Sequence, residues 1–134
     1  MKYAYYPGCT MKSSYSHVEK SILRLAEYLG VELEEVEDWN CCGAAEIVNV
    51  NEEASLLLPA RVLALAAKIS DRVLVPCTEC LYNLRRTVYF FDKHPEAREK
   101  IAGVLAKRGL ELKPLEIRHP IDMVLRDIGV DRIK

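Results

Sequence analysis

No charge of one sign dominates this sequence. Nineteen basic residues stand against twenty acidic ones, a net charge of −1 over 134 residues. That balance excludes the basic footprint of a nucleic-acid-binding domain. Long apolar runs are missing as well. The stretches Leu56 to Ala60 and Val62 to Ala67 fall far short of the roughly 20 residues that cross a bilayer, so no membrane span is expected. The opening residues, MKYAYYPGC, hold no apolar core of the secretory kind, and the chain is read as cytoplasmic. There is no internal repeat and no low-complexity segment. Half of the residues are apolar, so a packed core is expected, and residues 1–134 are read as a single domain.

An even number of cysteines is also lacking. Five cannot all pair with one another, and a reducing compartment disfavours disulfides in any case. Free thiols in such numbers point to metal or redox chemistry.

The hydrophobic pattern alternates strand and helix. Lys2 to Tyr6 reads as a strand closed by Pro7-Gly8, and Val18, Ile22, Leu25, Ala26 and Leu29 form one face of a helix that Ser14 or Ser16 could cap and Gly30 ends. Val31 to Val36 is a second strand, and Asp38 to Gly43 a loop. Asn49 or Asn51 opens a helix with Glu52 and Glu53 in its first turn. Pro59 predicts either a kink in that helix or a break with a new start. Arg72 to Val75 is a third strand, followed by helices over Leu81 to Phe91 and Glu96 to Lys107. Leu115 to Ile117 is a last short strand, and Pro120 to Ile128 a terminal helix. The expected fold is α/β, a small doubly wound and mainly parallel sheet of about four strands with helices on both faces. In such sheets ligands sit beyond the carboxyl ends of the strands. Cys9 follows the first strand, Cys41 and Cys42 the second, Cys77 and Cys80 the third. A parallel sheet therefore brings all five sulfurs to one edge.

The cysteine spacing is Cys, 31 residues, Cys-Cys, 34 residues, Cys-x-x-Cys. Cys77-Thr78-Glu79-Cys80 alone fits a metal knuckle, a redox dithiol or half of a cluster site. Five thiols exceed the four that Zn²⁺ takes and the four that hold an ordinary cubane cluster. Adjacent cysteines rarely both aim at one tetrahedral metal. Cys77 and Cys80 lie at the start of a helix, where the dipole favours thiolate.

Tyr6-Pro7-Gly8-Cys9, Trp39-Asn40-Cys41-Cys42-Gly43 and Cys77-Thr78-Glu79-Cys80 resemble the cysteine-rich CCG domain found in the B subunit of CoB–CoM heterodisulfide reductase and its relatives. The closing segment, His119-Pro120 to Gly129-Val130, resembles the end of the first half of that protein. The resemblance implies a noncubane [4Fe–4S] cluster on Cys9, Cys41, Cys42, Cys77 and Cys80. It implies electron transfer to a disulfide such as CoM-S-S-CoB, with electrons delivered by iron–sulfur or flavin subunits. Some relatives hold zinc in one motif, so a zinc module on four cysteines is the alternative, and a Cys77–Cys80 dithiol oxidoreductase a third reading. The family places two CCG halves in one chain, and this sequence has one. A second CCG-containing chain or half, or a homodimer, is therefore the implied partner.

The remaining polar residues take plainer readings. His17 belongs to an exposed helix face, His94 to a loop or cap, and His119 to a strand-to-helix turn. Arg85 and Arg86 read as a solvated helix face, Tyr82 and Tyr89 as packing residues, and Trp39 as a shield beside the cysteine pair. The acidic run Glu32, Glu34, Glu35, Glu37 and Asp38 reads as a solvated face.

Overall fold

Backbone alternation at the first strand sets the layers. In a computed structural model describing residues 1–44 and 46–134, β1 (Lys2–Tyr5) sends Tyr3 and Tyr5 to one face of the sheet and Ala4 to the other, where Tyr6 joins it. β1 pairs in parallel with β2 (Glu32–Glu35) and β3 (Arg72–Leu74), and β3 pairs in parallel with β4 (Glu116–Arg118), giving the order β2-β1-β3-β4. The Tyr3 face is covered by α2 (Ser16–Tyr28) through Ala26 and Leu29, and by Met123 of the C-terminal segment. The opposite face carries α4 (Glu52–Ala67) and α5 (Thr78–Lys93) through Val62, Leu63, Ala66 and Leu84. α6 (Pro95–Ala106) packs outside those two through Ile101 and Leu105. The expected α/β architecture, with helices on both faces, is the one observed.

Local chemistry explains the boundaries. Gly30 at φ +71° ends α2, and paired bonds run from its N–H to Glu27 O and from Val31 N–H to Ala26 O. Of the two proposed asparagines, Asn51 caps α4, accepting from the Ala54 N–H at 3.0 Å. Three details differ from the sequence reading. α2 begins after Tyr15 with no side-chain cap, so neither Ser14 nor Ser16 caps it. The segment after Pro7 is a one-turn helix, α1 (Gly8–Met11), rather than a plain turn. α4 continues through Pro59, which is buried, so of the two readings at that residue the break with a new start is the one excluded. A short helix, α3 (Ile47–Val50), precedes it. The terminal helix divides into α7 (Pro120–Asp122) and a wider π-helical turn, Met123–Ile128, before Gly129.

From β1 the chain crosses to β2 on one side and later to β3 on the other. Direction reverses at β1, which opens a crevice at the carboxyl ends of β1 and β3.

Candidate metal centre

Cys9 lies in α1, beyond the end of β1, and is exposed. Cys41 and Cys42 lie in the loop after β2, the first exposed and the second buried. Cys77 is the residue before α5 and Cys80 sits in its first turn, half-buried and buried respectively. The sulfurs of Cys42 and Cys80 are 3.5 Å apart. A Cβ on Gly8 would stand 2.9 Å from the Cys80 sulfur and 3.9 Å from the Cys77 Cβ, so the β1 and β3 ends meet where a side chain is absent. Gly8 also holds φ +77°, which suits glycine alone. Cys41 feels the charge of both Cys42 and Cys9, and Cys80 that of Cys77. Of the five, Cys42 and Cys80 are in sulfur contact, and Gly8, the residue before Cys9, abuts the Cys80 sulfur. As the side chains stand, no three Cys, His, Asp or Glu among the described residues close on a point as one metal ion needs.

The loop bearing the adjacent pair is pinned from several sides. Arg61 of α4 donates to the Asp38 carbonyl at 2.7 Å, the Asp38 carboxylate at 2.6 Å and Asn40 Oδ1 at 2.9 Å. Asn40 donates in turn to the carbonyls of Cys41 and Leu58. The Tyr6 hydroxyl donates to the Asn40 carbonyl at 2.8 Å, and its ring meets Trp39 edge-on with centroids 5.6 Å apart. Gly43, at φ +92°, leaves no room for a Cβ, which would fall 2.5 Å from Ile47 Cγ2. Asn83, buried on α5, donates to the Cys42 sulfur at 3.4 Å and to the Ala44 carbonyl at 3.1 Å.

These contacts order the thiols. The hydrogen bond with Cys80, aided by the Asn83 amide, holds Cys42 down at about 6. The same contact with Cys42, together with burial, pushes Cys80 up. Burial at its sulfur raises Cys41, against the Gly43 N–H that it accepts at 3.3 Å. The sequence reading put thiolate character on the helix-start cysteines. The shared hydrogen bond lets one of the Cys42–Cys80 pair carry a thiolate more easily than both, and the Asn83 amide favours Cys42.

Other residues are placed plainly. His119 is a turn residue: its Nδ1 accepts from the Ile121 N–H, and Nε2 lies 3.1 Å from the Pro76 carbonyl, just before Cys77. Arg85 is exposed, as read from the sequence, but it is also bonded. It donates to the Ile117 carbonyl and the Asp122 carboxylate, both at 2.7 Å. Tyr82 and Tyr89 are 64% and 65% exposed, so they are not core packing residues. Of the acidic run, Glu34, Glu35 and Asp38 make ion pairs with Lys2, Lys12 and Arg61. The sequence reading missed Asn83 and Arg61. Asn83 was legible, since it stands three residues after Cys80 and shares its helix face.

A family model described as the CCG cysteine-rich domain matches residues 3–85, a span that contains all five cysteines. The chain belongs to this family. The CCG domain here is 38% identical over 106 residues to the 8-methylmenaquinol:fumarate reductase membrane anchor subunit of Wolinella succinogenes, covering 79% of this chain and 37% of that one. It is 24% identical over 136 residues to a protein of Archaeoglobus profundus described as like the B subunit of heterodisulfide reductase, covering 100% of this chain and 46% of that one. This CCG domain therefore spans less than half the length of either relative. A crystal structure of a hypothetical protein from Helicobacter pylori shares the fold, with a TM-score of 0.79 at 18% identity over 89% of this chain and 24% of that one. By family and relatives, this is a cysteine-rich domain of the redox-related kind. No helix among the described residues is long and apolar enough to cross a membrane.

Proposed function

We propose that this CCG domain is the iron–sulfur site of a reductase subunit. Cys9, Cys41, Cys42, Cys77 and Cys80 hold a noncubane [4Fe–4S] cluster, and electrons pass from it to a disulfide such as the CoM–CoB heterodisulfide. The observation that carries the reading is that the segments after β1, β2 and β3, three parallel strands, each bring cysteine to the carboxyl edge of the sheet. The donor set suits the group: thiols only, one more than a cubane cluster or a zinc ion uses. Such a cluster supplies single-electron steps and an iron that accepts soft sulfur ligands.

The chain's own residues prepare the site. Gly8 lets the Cys80 sulfur approach the β1 end. Asn83 directs an N–H at the Cys42 sulfur, the kind of outer contact that tunes a cluster's potential. Tyr6 and Trp39 wall off one side from water. Exposed Cys9 and Cys41 leave the other side open to a substrate or a partner.

A second reading rests on the more similar relative. Its name links a quinol to fumarate, which favours an electron relay with no disulfide at the site. Anaerobic purification followed by iron, sulfide and zinc analysis tests the cluster. The expected result is a brown chain with about four iron and four sulfide. One zinc per chain without sulfide would put the zinc module in its place. Adding a heterodisulfide to the reduced, loaded chain in its assembly with a second CCG-containing chain or copy then separates the two redox readings, because only a disulfide reductase is reoxidised by it.

A further inference from the structure

Beyond holding a cluster, the same sulfurs carry a second chemistry when no cluster is bound. We propose that the cluster-free chain forms a reversible disulfide between Cys42 and Cys80 under peroxide, and that this bond bars cluster assembly until a thiol reduces it. The inference rests on the cluster reading only for its consequence, the block on assembly.

The geometry selects this pair. Among the described residues, Cys42 and Cys80 form the thiol–thiol contact at hydrogen-bond distance, 3.5 Å. A disulfide needs about 2.05 Å, so the sulfurs must close by roughly 1.5 Å. Cys80 is fixed in the first turn of α5, so the closing movement falls to Cys42, which lies in neither helix nor strand. The alternatives fit less well. Cys41 and Cys42 are adjacent, and a bond between neighbours closes a cramped ring. Cys77 and Cys80 have the helix-start spacing of a redox dithiol and are the nearest rival, but among the described residues the sulfur contact at hydrogen-bond distance joins Cys80 to Cys42. Cys9 and Cys41 are exposed, open to solvent and to other thiols. The two residues of the proposed pair are only 4% and 5% exposed.

The step balances. One thiol and hydrogen peroxide give a sulfenic acid and water. The second thiol attacks the sulfenic sulfur, the S–S bond forms, the S–O bond breaks, and a second water leaves. Two thiols have lost two electrons and two protons, and one peroxide has taken them up. Reduction by a dithiol reverses the change through a mixed disulfide. With two of the five sulfurs tied together, the ligand set is broken.

The test uses the whole chain, cluster-free, fully reduced and dilute. It is treated with one equivalent of hydrogen peroxide, capped with N-ethylmaleimide, digested without reductant and mapped by mass spectrometry. The expected major bridge joins the Cys42 and Cys80 peptides, and dithiothreitol returns five alkylatable cysteines. C42S and C80S should each abolish that bridge. The oxidised chain should take up no iron and sulfide until reduced. A major Cys77–Cys80 or Cys9–Cys41 bridge would overturn the proposal, as would sulfinic acid at Cys42 with Cys80 still free. Iron uptake by the reduced chain is read separately. A chain that bridges Cys42 to Cys80 yet never loads iron sinks the cluster reading alone. A chain that loads iron yet bridges other cysteines sinks this one alone.

Discussion

Asn83 directs its amide at both the Cys42 sulfur and the Ala44 carbonyl, from a position 3% exposed. Leucine there keeps the volume but leaves a part-buried carbonyl unpaired, which costs about 1–3 kcal/mol against the ~1 kcal/mol net value of an ordinary hydrogen bond. N83L is expected to lower the urea midpoint accordingly and to move the loaded chain to a more negative reduction potential. Unchanged stability and potential would remove Asn83 from the site. Gly8 is a second single-residue test. Alanine at φ +77° costs roughly 1–2 kcal/mol in backbone strain alone, and its Cβ would press to 2.9 Å from the Cys80 sulfur. G8A should fold, be less stable in urea and bind less iron than the parent, measured as iron per chain. Equal iron content would show that the approach of β1 to Cys80 is not needed. At this scale the cysteines were readable because their spacing follows the strands. Arg61 was not legible, because its role depends on Asp38, 23 residues away.

Among the elements, the junction of β4 and α7 supports the Cys77 side of the site. His119 meets the Pro76 carbonyl and, with Asp122, closes a capping box at the start of α7, while Arg85 ties α5 to the same carboxylate. The His119 backbone N–H, with Arg85 behind it, holds the Asp122 carboxyl below its usual range. Because the folded pKa is depressed, the stabilisation is present above the unfolded value of about 3.9 and is lost as pH falls through the folded one. D122N keeps an acceptor for the His119 N–H but loses the charge paired with Arg85, so it should be less stable than the parent at neutral pH by about 0.2–1 kcal/mol. The gap should narrow on acidification below about pH 4. Urea titrations at several pH values check this, and a gap independent of pH would contradict it. Elements bounded by local chemistry were legible from sequence: Gly30 after α2 and Asn51 at the start of α4. The one-turn helix at Gly8–Met11 and the π-helical turn at Met123–Ile128 were not. The π-helical turn places Asp127 within reach of Arg118 and Tyr3, a tertiary demand that no local pattern announces.

On the scale of the molecule, the reversal of strand order at β1 gathers cysteines that lie as much as 71 positions apart (Cys9 to Cys80) into one crevice. Two elements that follow the cysteine loops present bare apolar or aromatic side chains, Val50 at the end of α3 and Tyr82 on α5, at 80% and 64% exposure. With less than half the length of its relatives, the chain is proposed to work beside a second CCG-containing chain or a second copy of itself. Light scattering of the loaded chain should give more than the 15.3 kDa of a monomer, either alone or after adding such a partner, and disulfide reduction should appear only in that assembly. Full activity from a strict monomer would contradict this.

The claim beneath all of this is that five sulfurs act as one ligand set, and residue-resolved alkylation reads it directly. The anaerobic chain is loaded with iron and sulfide, exposed to N-ethylmaleimide and mapped by mass spectrometry, with and without prior removal of iron by a chelator. Cys9, Cys41, Cys42, Cys77 and Cys80 should be protected together, including the exposed Cys9 and Cys41, and all five should become reactive once the iron is removed. Free alkylation of Cys9 and Cys41 in the loaded chain, with only the more buried sulfurs protected, would contradict it.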